Sequence, residues 1–342
     1  MTKILVIRFS ALGDTALLVP VVRYWAERHP DTEVTILSRQ QYAGLFLDLP
    51  ANVRFAGADL KGRHRGRKGL DLLLEDIDLR QFDAVADMHG VWRSRYLTLR
   101  MALRGIPTAT IRKDRIQRFL LTHGLRHKPL RPVWQRYADV FERLTADKGM
   151  RKMCSSMPKA TDRENSNEIG IAPFAAHKGK QYPIEKTEEV VRCLTEQGYS
   201  VLLFGGGDEE RTVLHRLAER YENTRSVPDM QLSLREEMAL MKDIRLMISM
   251  DSANMHLASL VGTRVVSVWG ATHPMTGFLG YGQSIDDCVQ RNLPCRPCSI
   301  YGNKKCRYGD WHCLDIAPEE IVANVSERSL VAIVKRITTL DS

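Results

Sequence analysis

The polar residues best placed for chemistry follow an apolar run that ends at Asp251. A helical pattern begins directly behind this carboxylate, and its first residues are Ser252, Ala253 and Asn254. His256 follows within the same turn. At the carboxyl end of a parallel strand, the amide groups that begin a helix favour bound phosphate. A carboxylate beside such a phosphate cradle suits a ligand that carries both hydroxyls and phosphates, as a nucleotide sugar does.

A second carboxylate follows the first apolar run of the chain, Ile4–Ile7. Gly13 permits a tight turn, and Asp14 then lies at or next to the start of a helix. Asp14 either caps the free amides of that helix or stands as a proton-accepting carboxylate at the end of the first strand. The residues alone leave both interpretations open.

Two further loops follow predicted strands. The glycines Gly205–Gly207 let a ligand approach the backbone, and an acidic residue just after them can bind ribose hydroxyls. A glycine-rich turn that merely starts a helix is the alternative. In the other loop, Lys178 and Lys180 can neutralise phosphates, although solvated loop lysines have the same sequence pattern.

Four of the seven cysteines lie in one segment, at Cys295, Cys298, Cys306 and Cys313. A C-x2-C pair followed by two more cysteines can hold a tetrahedral zinc ion, although the second pair lacks this spacing. Reduced thiols and two disulfides are the alternatives, and a reducing cytoplasm argues against the disulfides. None of the three makes the segment catalytic.

The chain has 342 residues, which predicts two domains, and a formal net charge of +9. No apolar run is long enough to span a bilayer, and the start of the chain indicates a strand and not a signal peptide, so a cytoplasmic protein is expected. The basic excess is concentrated in the first half and fits an anionic partner. Nucleic acid is not expected, because no nucleic-acid-binding motif is present.

Strand and helix patterns alternate along the chain, which predicts parallel sheets covered on both faces. The predicted strands are Lys3–Arg8, Glu33–Leu37, Phe82–Met88, Thr108–Ile111, Glu168–Ala172, Ser200–Phe204, Leu246–Met250 and Arg264–Trp269. The predicted helices are Ala16–Arg28, Gln40–Leu47, Arg93–Leu103, Val133–Thr145, Glu185–Gln197, Glu209–Glu222, Leu234–Lys242, Met255–Leu260 and Pro318–Ile337. Polar, turn-forming residues at 152–167 mark the linker between two doubly wound α/β domains that face each other across a cleft.

These motifs together resemble the ADP-heptose:lipopolysaccharide heptosyltransferases, whose two Rossmann-like domains form the GT-B fold. The resemblance covers nearly the whole chain. It rests on Ile7–Asp14, Asp87–Ser94, Lys180–Pro183, Gly205–Gly207, Asp251–His256 and Trp269–Pro274. The first and fifth of these motifs are fairly specific to the family. The chain departs from better-known members at Phe174, Ala175 and Ala176, where they have hydroxyl residues, and in its cysteine segment.

The resemblance implies a role for each motif. Asp14 would be the general base that deprotonates the acceptor hydroxyl, with inversion at the anomeric carbon. Lys180 would contact the donor phosphates and Asp251 the donor sugar. Ser252, Ala253 and Asn254, followed by His256, would hold the pyrophosphate. Either Asp208 or Glu209 would bind the adenosine ribose.

The expected enzyme transfers a heptose from ADP-heptose to the Kdo region of a lipid A-linked precursor, at the inner face of the membrane and without a cofactor for the chemistry. The residues expected to meet this anionic acceptor are Arg63, Arg65, Arg67, Arg93 and Arg112. The acceptor domain would span 1–155 and the donor domain 168–325, with a helix at 326–342 packing back on the first. The alternatives are a non-catalytic binding protein of the same fold and a transferase for another ADP-sugar.

Overall fold

The computed structural model describes residues 2–150, 153 and 159–325. The chain divides into two compact units. The first contains 1–115 and 131–157, and the second contains 116–130 and 158–342. The segment 116–130 therefore belongs to the second unit, whereas the sequence placed it in the first. No helix in the described ranges is long and apolar enough to cross a membrane.

The first unit is built on a parallel sheet with the order β3-β2-β1-β4-β5. Its strands are β1 (Thr2–Ile7), β2 (Thr32–Arg39), β3 (Val53–Ala58), β4 (Ala84–Asp87) and β5 (Thr108–Thr110). The helices of this part of the chain are α1 (Leu12–Ala16), α2 (Val19–Arg28), α3 (Gly66–Asp76), α4 (Trp92–Ala102), α5 (Arg115–Thr122) and α6 (Val133–Thr145). All but the first residue of α5 belong to the second unit.

The apolar residues of β1 form the centre of this first core. Ile4, Leu5, Val6 and Ile7 are each 1% exposed or less, and burial of one such side chain stabilises the fold by about 1.5–3 kcal/mol. Ile7 lies opposite Leu37 of β2 and Asp87 of β4. This register brings the carboxyl ends of all three strands to the same edge of the sheet.

Two parts of the first unit differ from the sequence prediction. The predicted helix Ala16–Arg28 is divided between α1 and α2. Pro20 lies in the first turn of α2, where a proline is tolerated because the N–H groups of that turn have no acceptor within the helix. The edge strand β3 and the helix α3 behind it were not predicted. Most of β3 is only partly buried and it contains Arg54 and Gly57, so no apolar run marks it.

The second unit is built on a six-stranded parallel sheet with the order β11-β10-β9-β6-β7-β8. Its strands are β6 (Glu168–Ala172), β7 (Ser200–Leu203), β8 (Thr224–Ser226), β9 (Leu246–Met250), β10 (Val265–Trp269) and β11 (Cys288–Gln290). Its helices are α7 (Ile184–Glu196), α8 (Asp208–Arg220), α9 (Leu234–Asp243) and α10 (Ala253–Leu260). A further helix begins at 318, and the structure describes it as far as 325. The helix predicted over 326–342 lies outside the described residues.

Both sheets reverse their strand order next to a central strand. In the first sheet the reversal lies between β1 and β4, and in the second it lies between β6 and β9. The crevice outside the carboxyl ends of two such strands is where open α/β sheets bind ligands. Asp14 follows β1, Lys180 follows β6 and Asp251 follows β9. The topology therefore places the three principal candidates at the two positions best suited to a ligand.

Candidate active site

Asp14 lies in the first turn of α1, directly behind β1. Its carboxylate forms an ion pair with the guanidinium of Arg8. The same guanidinium donates a hydrogen bond of 2.7 Å to the carbonyl oxygen of Met88 and lies 5.7 Å from the ring centre of Tyr137. No amide of the described helix α1 donates to the Asp14 side chain, so this carboxylate is not a helix cap. It keeps 21% of its surface exposed, which leaves it accessible to a substrate.

His89 lies beside this ion pair, behind the carboxyl end of β4. Its Nε2 atom is 3.3 Å from the hydroxyl of Ser10, and its ring meets the ring of Phe9 edge to face. Burial lowers the pKa of His89 to about 3, and the nearby charges of Arg8 and Lys113 act in the same direction. The imidazole is therefore neutral at physiological pH. No role was predicted for His89, although it lies in one of the motifs quoted above.

The five arginines predicted to meet the acceptor are all exposed. Arg63 and Arg65 lie in the loop after β3, and Arg67 is the second residue of α3. Arg93 lies in the first turn of α4, and Arg112 follows β5. Because the strands are parallel, these residues lie towards the same edge of the first sheet as Asp14. Arg63 is engaged by Asp76, whose two oxygens accept hydrogen bonds of 2.7 and 2.9 Å. That contact holds the pKa of Asp76 at about 2.

Two of the residues expected to bind the donor, Lys180 and Asp251, form a buried cluster in the second unit. The Nζ atom of Lys180 lies 2.9 Å from an oxygen of Asp251, and the hydroxyl of Thr272 donates a hydrogen bond of 2.8 Å to the same oxygen. The side chains of Lys180 and Asp251 are only 16% and 5% exposed. A buried ion pair of this kind needs such an additional hydrogen bond to offset its desolvation. Thr272 is a member of the cluster that the sequence did not single out.

The helix α10 begins directly behind Asp251. Ser252 is its N-cap residue, but the Ser252 hydroxyl lies 3.3 Å from that of Ser249 and caps no helix amide. Ala253 and Asn254 are also partly exposed, whereas His256 is buried beneath them. The first amides of α10 are thus without a side-chain cap, as in a helix that receives an anion.

The glycine turn after β7 leads into α8, and Gly207 at its end has a φ of +91°. Asp208 and Glu209 are both exposed in the first turn of α8, so either can reach a ligand. Glu210 is already engaged, because its carboxylate accepts a hydrogen bond of 2.7 Å from the amide of Gly206. The structure brings Asp208 and Glu209 to the same edge of the second sheet as Lys180.

The cysteine segment supports the loop after β10. Arg296 donates hydrogen bonds to the carbonyl oxygens of Trp269, Gly270 and Thr272, at 3.0, 2.5 and 2.9 Å. A Cβ atom on Gly302 would lie 2.3 Å from Cγ of Lys180, so the segment also lies against the lysine side chain. Arg296 was not predicted as a functional residue. It is a positioning residue for the loop that carries Thr272.

The four clustered cysteines are free thiols and form no disulfide. All four line one cavity of about 290 Å³. Burial raises the pKa of Cys298, and it raises that of Cys313 to about 11. Within the described part of the chain, no group of three or more His, Cys, Asp or Glu side chains has the arrangement of a metal site.

Each unit therefore presents a distinct chemistry. The first has an accessible carboxylate, held by a buried arginine, that can accept a proton. The second has a lysine and a carboxylate beside uncapped helix amides, which suits a ligand carrying phosphates and hydroxyls. Transfer of a sugar from a nucleotide requires both: a group that accepts the proton of the attacking hydroxyl, and groups that bind the nucleotide phosphates and the sugar hydroxyls.

The chain is similar to known glycosyltransferases. The model of glycosyltransferase family 9 (heptosyltransferase) matches residues 73–312. Lipopolysaccharide heptosyltransferase 1 of Pseudomonas aeruginosa is 26% identical over 90% of this chain and 88% of its own.

Two solved structures share the fold. A family 9 glycosyltransferase from Veillonella parvula superposes with a TM-score of 0.72 at 18% identity, covering 95% of this chain and 96% of its own. The heptosyltransferase WaaC of E. coli with ADP-2-deoxy-2-fluoro heptose gives a TM-score of 0.62 at 16% identity, covering 88% of this chain and 97% of its own. With two parallel-sheet α/β domains of the GT-B type and a family match over most of its length, the chain is a member of glycosyltransferase family 9.

Proposed function

We propose that this protein transfers a heptose from ADP-heptose to the Kdo region of a lipid A-linked lipopolysaccharide precursor. The observation that carries the proposal is the cluster of Lys180, Asp251 and Thr272 at the uncapped start of α10. It pairs a cation for phosphate with a carboxylate for sugar hydroxyls. The names of the relatives supply the heptose and the lipopolysaccharide: one is a lipopolysaccharide heptosyltransferase and another holds an ADP-heptose analogue.

The donor would bind by exchange of partners within this cluster. The diphosphate would take the ammonium group of Lys180 and the first amides of α10, at Ala253 and Asn254. Asp251 would then exchange its contact with Lys180 for hydroxyls of the sugar, while Thr272 keeps its hydrogen bond to the carboxylate. His256 would support the start of the helix from below, and Asp208 or Glu209 would accept hydrogen bonds from the ribose.

The chemical step would be an inverting displacement. The Oδ1 atom of Asp14 would take the proton of an acceptor hydroxyl while Arg8 holds Oδ2. The hydroxyl oxygen would form a bond to the anomeric carbon of the heptose as the bond from that carbon to the β-phosphate oxygen breaks. ADP would leave with the electron pair, and Lys180 with the amides of α10 would stabilise its negative charge.

The direct test is transfer of heptose to a Kdo2–lipid A acceptor, followed by mass spectrometry of the glycolipid and by release of ADP. Thermal shifts with ADP-, UDP-, GDP- and CMP-sugars measure nucleotide preference in parallel. Stabilisation by ADP compounds alone supports the donor assignment. Preference for UDP would overturn it, and transfer of a different ADP-sugar would reassign the donor. A folded protein that transfers no sugar would be the non-catalytic binding protein instead.

We further propose that the protein works while bound to an anionic membrane surface. The exposed arginines Arg65, Arg67, Arg93 and Arg112 would contact phosphorylated headgroups, each contributing roughly 1 kcal/mol.

The segment around α5 adds an apolar contribution. Its side chains Ile116, Phe119 and Leu125 are 76%, 56% and 68% exposed. From 115 to 131 the sequence contains Arg115, Arg118, Arg126, Lys128 and Arg131 but no acidic residue, which is the composition of an interfacial helix.

The double variant Phe119→Ser and Leu125→Ser should lower cosedimentation with phosphatidylglycerol vesicles about tenfold or more, because it removes two apolar side chains from the interface. Turnover of a water-soluble, deacylated acceptor should stay unchanged. Leu47→Ser is the matched control, since Leu47 is also exposed (57%) but lies outside this segment. Equal binding of the double variant and the wild type would remove α5 from the interface.

We also propose that Cys295, Cys298, Cys306 and Cys313 close around a structural zinc ion. The proposal is supported by the single cavity that all four line and by the C-x2-C spacing of the first pair. In this segment zinc would stabilise the contacts of Arg296 with the loop that carries Thr272, and it would take no part in the chemistry.

Metal analysis of the reduced protein, loaded with zinc and then desalted, should show about one zinc per chain. Chelation should lower the melting temperature. Cys295→Ser and Cys313→Ser should each abolish retention of the metal, whereas Cys193→Ser, in α7, should retain it. Zinc content no higher in the wild type than in the Cys295→Ser variant would leave reduced thiols as the state of the segment.

A further inference from the structure

The segment 116–130 is fastened to two loops of the second unit. It is flanked on both sides by residues of the first unit, yet it belongs to the second. Near its start, Arg118 of α5 donates a hydrogen bond of 2.6 Å to the hydroxyl of Tyr301. At its end, the amide of Leu130 donates a hydrogen bond of 2.8 Å to the carbonyl oxygen of Met275. These contacts attach the segment to the unit that contains the residues proposed to bind the donor.

Arg118 also packs against two aromatic rings. Its guanidinium lies 5.7 Å from the ring centre of Tyr301 and 6.0 Å from that of Phe278. The two rings meet edge to face, with their centres 5.9 Å apart. An aromatic face attracts a cation, and the attraction grows when water is partly excluded. Arg118 therefore holds Tyr301 by its hydroxyl and by its ring.

Tyr301 leads directly to the side chain of Lys180. Gly302 follows Tyr301 and packs on the stem of the lysine, because a Cβ atom on Gly302 would overlap Cγ and Cδ of Lys180. The amides of Tyr301 and Gly302 both donate to the hydroxyl oxygen of Ser299, at 3.3 and 2.9 Å. This shared acceptor holds the two residues together. A displacement of Tyr301 would therefore move the backbone that supports the lysine.

The second loop leads to the partner of the same lysine. Met275 and Phe278 follow Thr272 in the loop after β10. The hydroxyl of Thr272 donates to Asp251, which forms the ion pair with Lys180. Both loops that the segment contacts therefore also contact the ion pair. The position of the lysine relative to the carboxylate depends on contacts made outside the cluster.

We propose that Arg118 is a positioning residue for the donor site. It holds Tyr301 and Gly302 against Lys180, and so keeps the ammonium group where the donor diphosphate would bind. A lysine side chain that is already held loses less conformational freedom when the phosphate binds, which lowers the cost of binding. This role rests on the proposed function, in which Lys180 binds the diphosphate, and it adds a residue that lies outside all the motifs of the sequence.

The test measures the Kd for ADP by calorimetry in single and double variants. Arg118→Gln should raise it roughly three- to thirtyfold, the range for residues that act on a site through others. Arg118→Lys keeps a cation and a donor, and its Kd should stay within about threefold of wild type. In a Lys180→Met background, Arg118→Gln should have no further effect, because the side chain through which it acts is gone. Arg245→Gln is the matched control, since Arg245 lies 5.8 Å from the ring centre of Tyr199 at the opposite edge of the same sheet.

The outcomes separate this role from the proposed function. If the wild-type protein binds neither ADP nor ADP-heptose, the proposed donor site fails. If Lys180→Met weakens ADP but Arg118→Gln leaves its Kd unchanged, the positioning role is wrong, even if the melting temperature falls. An equal effect of Arg118→Gln with and without Lys180 would also reject the role, because the arginine would then act on the fold as a whole.

Discussion

Replacing Asp14 with asparagine should lower kcat at least about a hundredfold, the usual scale for removal of a general base. The substitution keeps the shape of the side chain and an oxygen that can accept a hydrogen bond from Arg8. The first turn of α1 and the contact of Tyr137 with the backbone carbonyl of residue 14 should therefore persist. The Kd for ADP-heptose should stay nearly unchanged, because the residues proposed to bind the donor belong to the second unit.

The measurement combines steady-state release of ADP with direct titration of the donor. Asp31→Asn is the matched control, since Asp31 is an exposed aspartate of the same unit. Loss of turnover with intact donor binding is the pattern of a group that acts only in the transition state. Turnover of the Asp14→Asn variant within threefold of wild type would remove the base assignment. If neither protein turned over while both bound the donor, the chain would be a binding protein.

Replacing Asp251 with alanine should weaken ADP-heptose roughly ten- to a hundredfold, as expected for a lost charge-assisted hydrogen bond to the sugar. Free ADP lacks those hydroxyls, and the variant frees Lys180 from its ion pair, so ADP itself should bind as well as before or better. The ratio of the two dissociation constants is therefore the quantity to measure, by calorimetry. Asp243→Ala, at the exposed end of α9, is the control.

A second variant separates the carboxylate from its support. Thr272→Val removes the hydroxyl that donates to Asp251 but leaves the charge, so it should reduce the selectivity for ADP-heptose over ADP by less than Asp251→Ala does. Equal weakening of both ligands by Asp251→Ala would mean that Asp251 organises the start of α10. The structure gives no support to that alternative, because α10 has no side-chain cap. Melting curves would detect the cost of leaving Lys180 buried and unpaired.

Much of the fold was predictable because its determinants are local. A strand buried on both faces of a parallel sheet is a continuous apolar run, and the polar residue behind that run marks its carboxyl end. Ile4–Ile7 and Leu246–Met250 show both features, so Asp14 and Asp251 could be assigned to strand ends without a structure. The edge strand β3 could not, since its half-buried residues include an arginine and a glycine.

The chemical partners of these residues were decided by the tertiary structure. An apolar run indicates that a strand is buried but not which strand lies beside it. Strand order and register bring the ends of β2 and β4 to either side of the end of β1, and they bring Thr272 within hydrogen-bond distance of Asp251. The same applies to Arg63, which was predicted from the sequence to bind the acceptor and which the fold pairs with Asp76.

The sequence by itself determined the two α/β units and the strand ends that carry Asp14, Lys180 and Asp251, because periodicity and strand termination depend on neighbouring residues. Only the tertiary structure decided which charges are neutralised and which remain for a ligand. An ion pair or a buried unpaired donor depends on side chains that are distant in the chain, and their distances follow from the packing of the sheets and not from their spacing in the sequence.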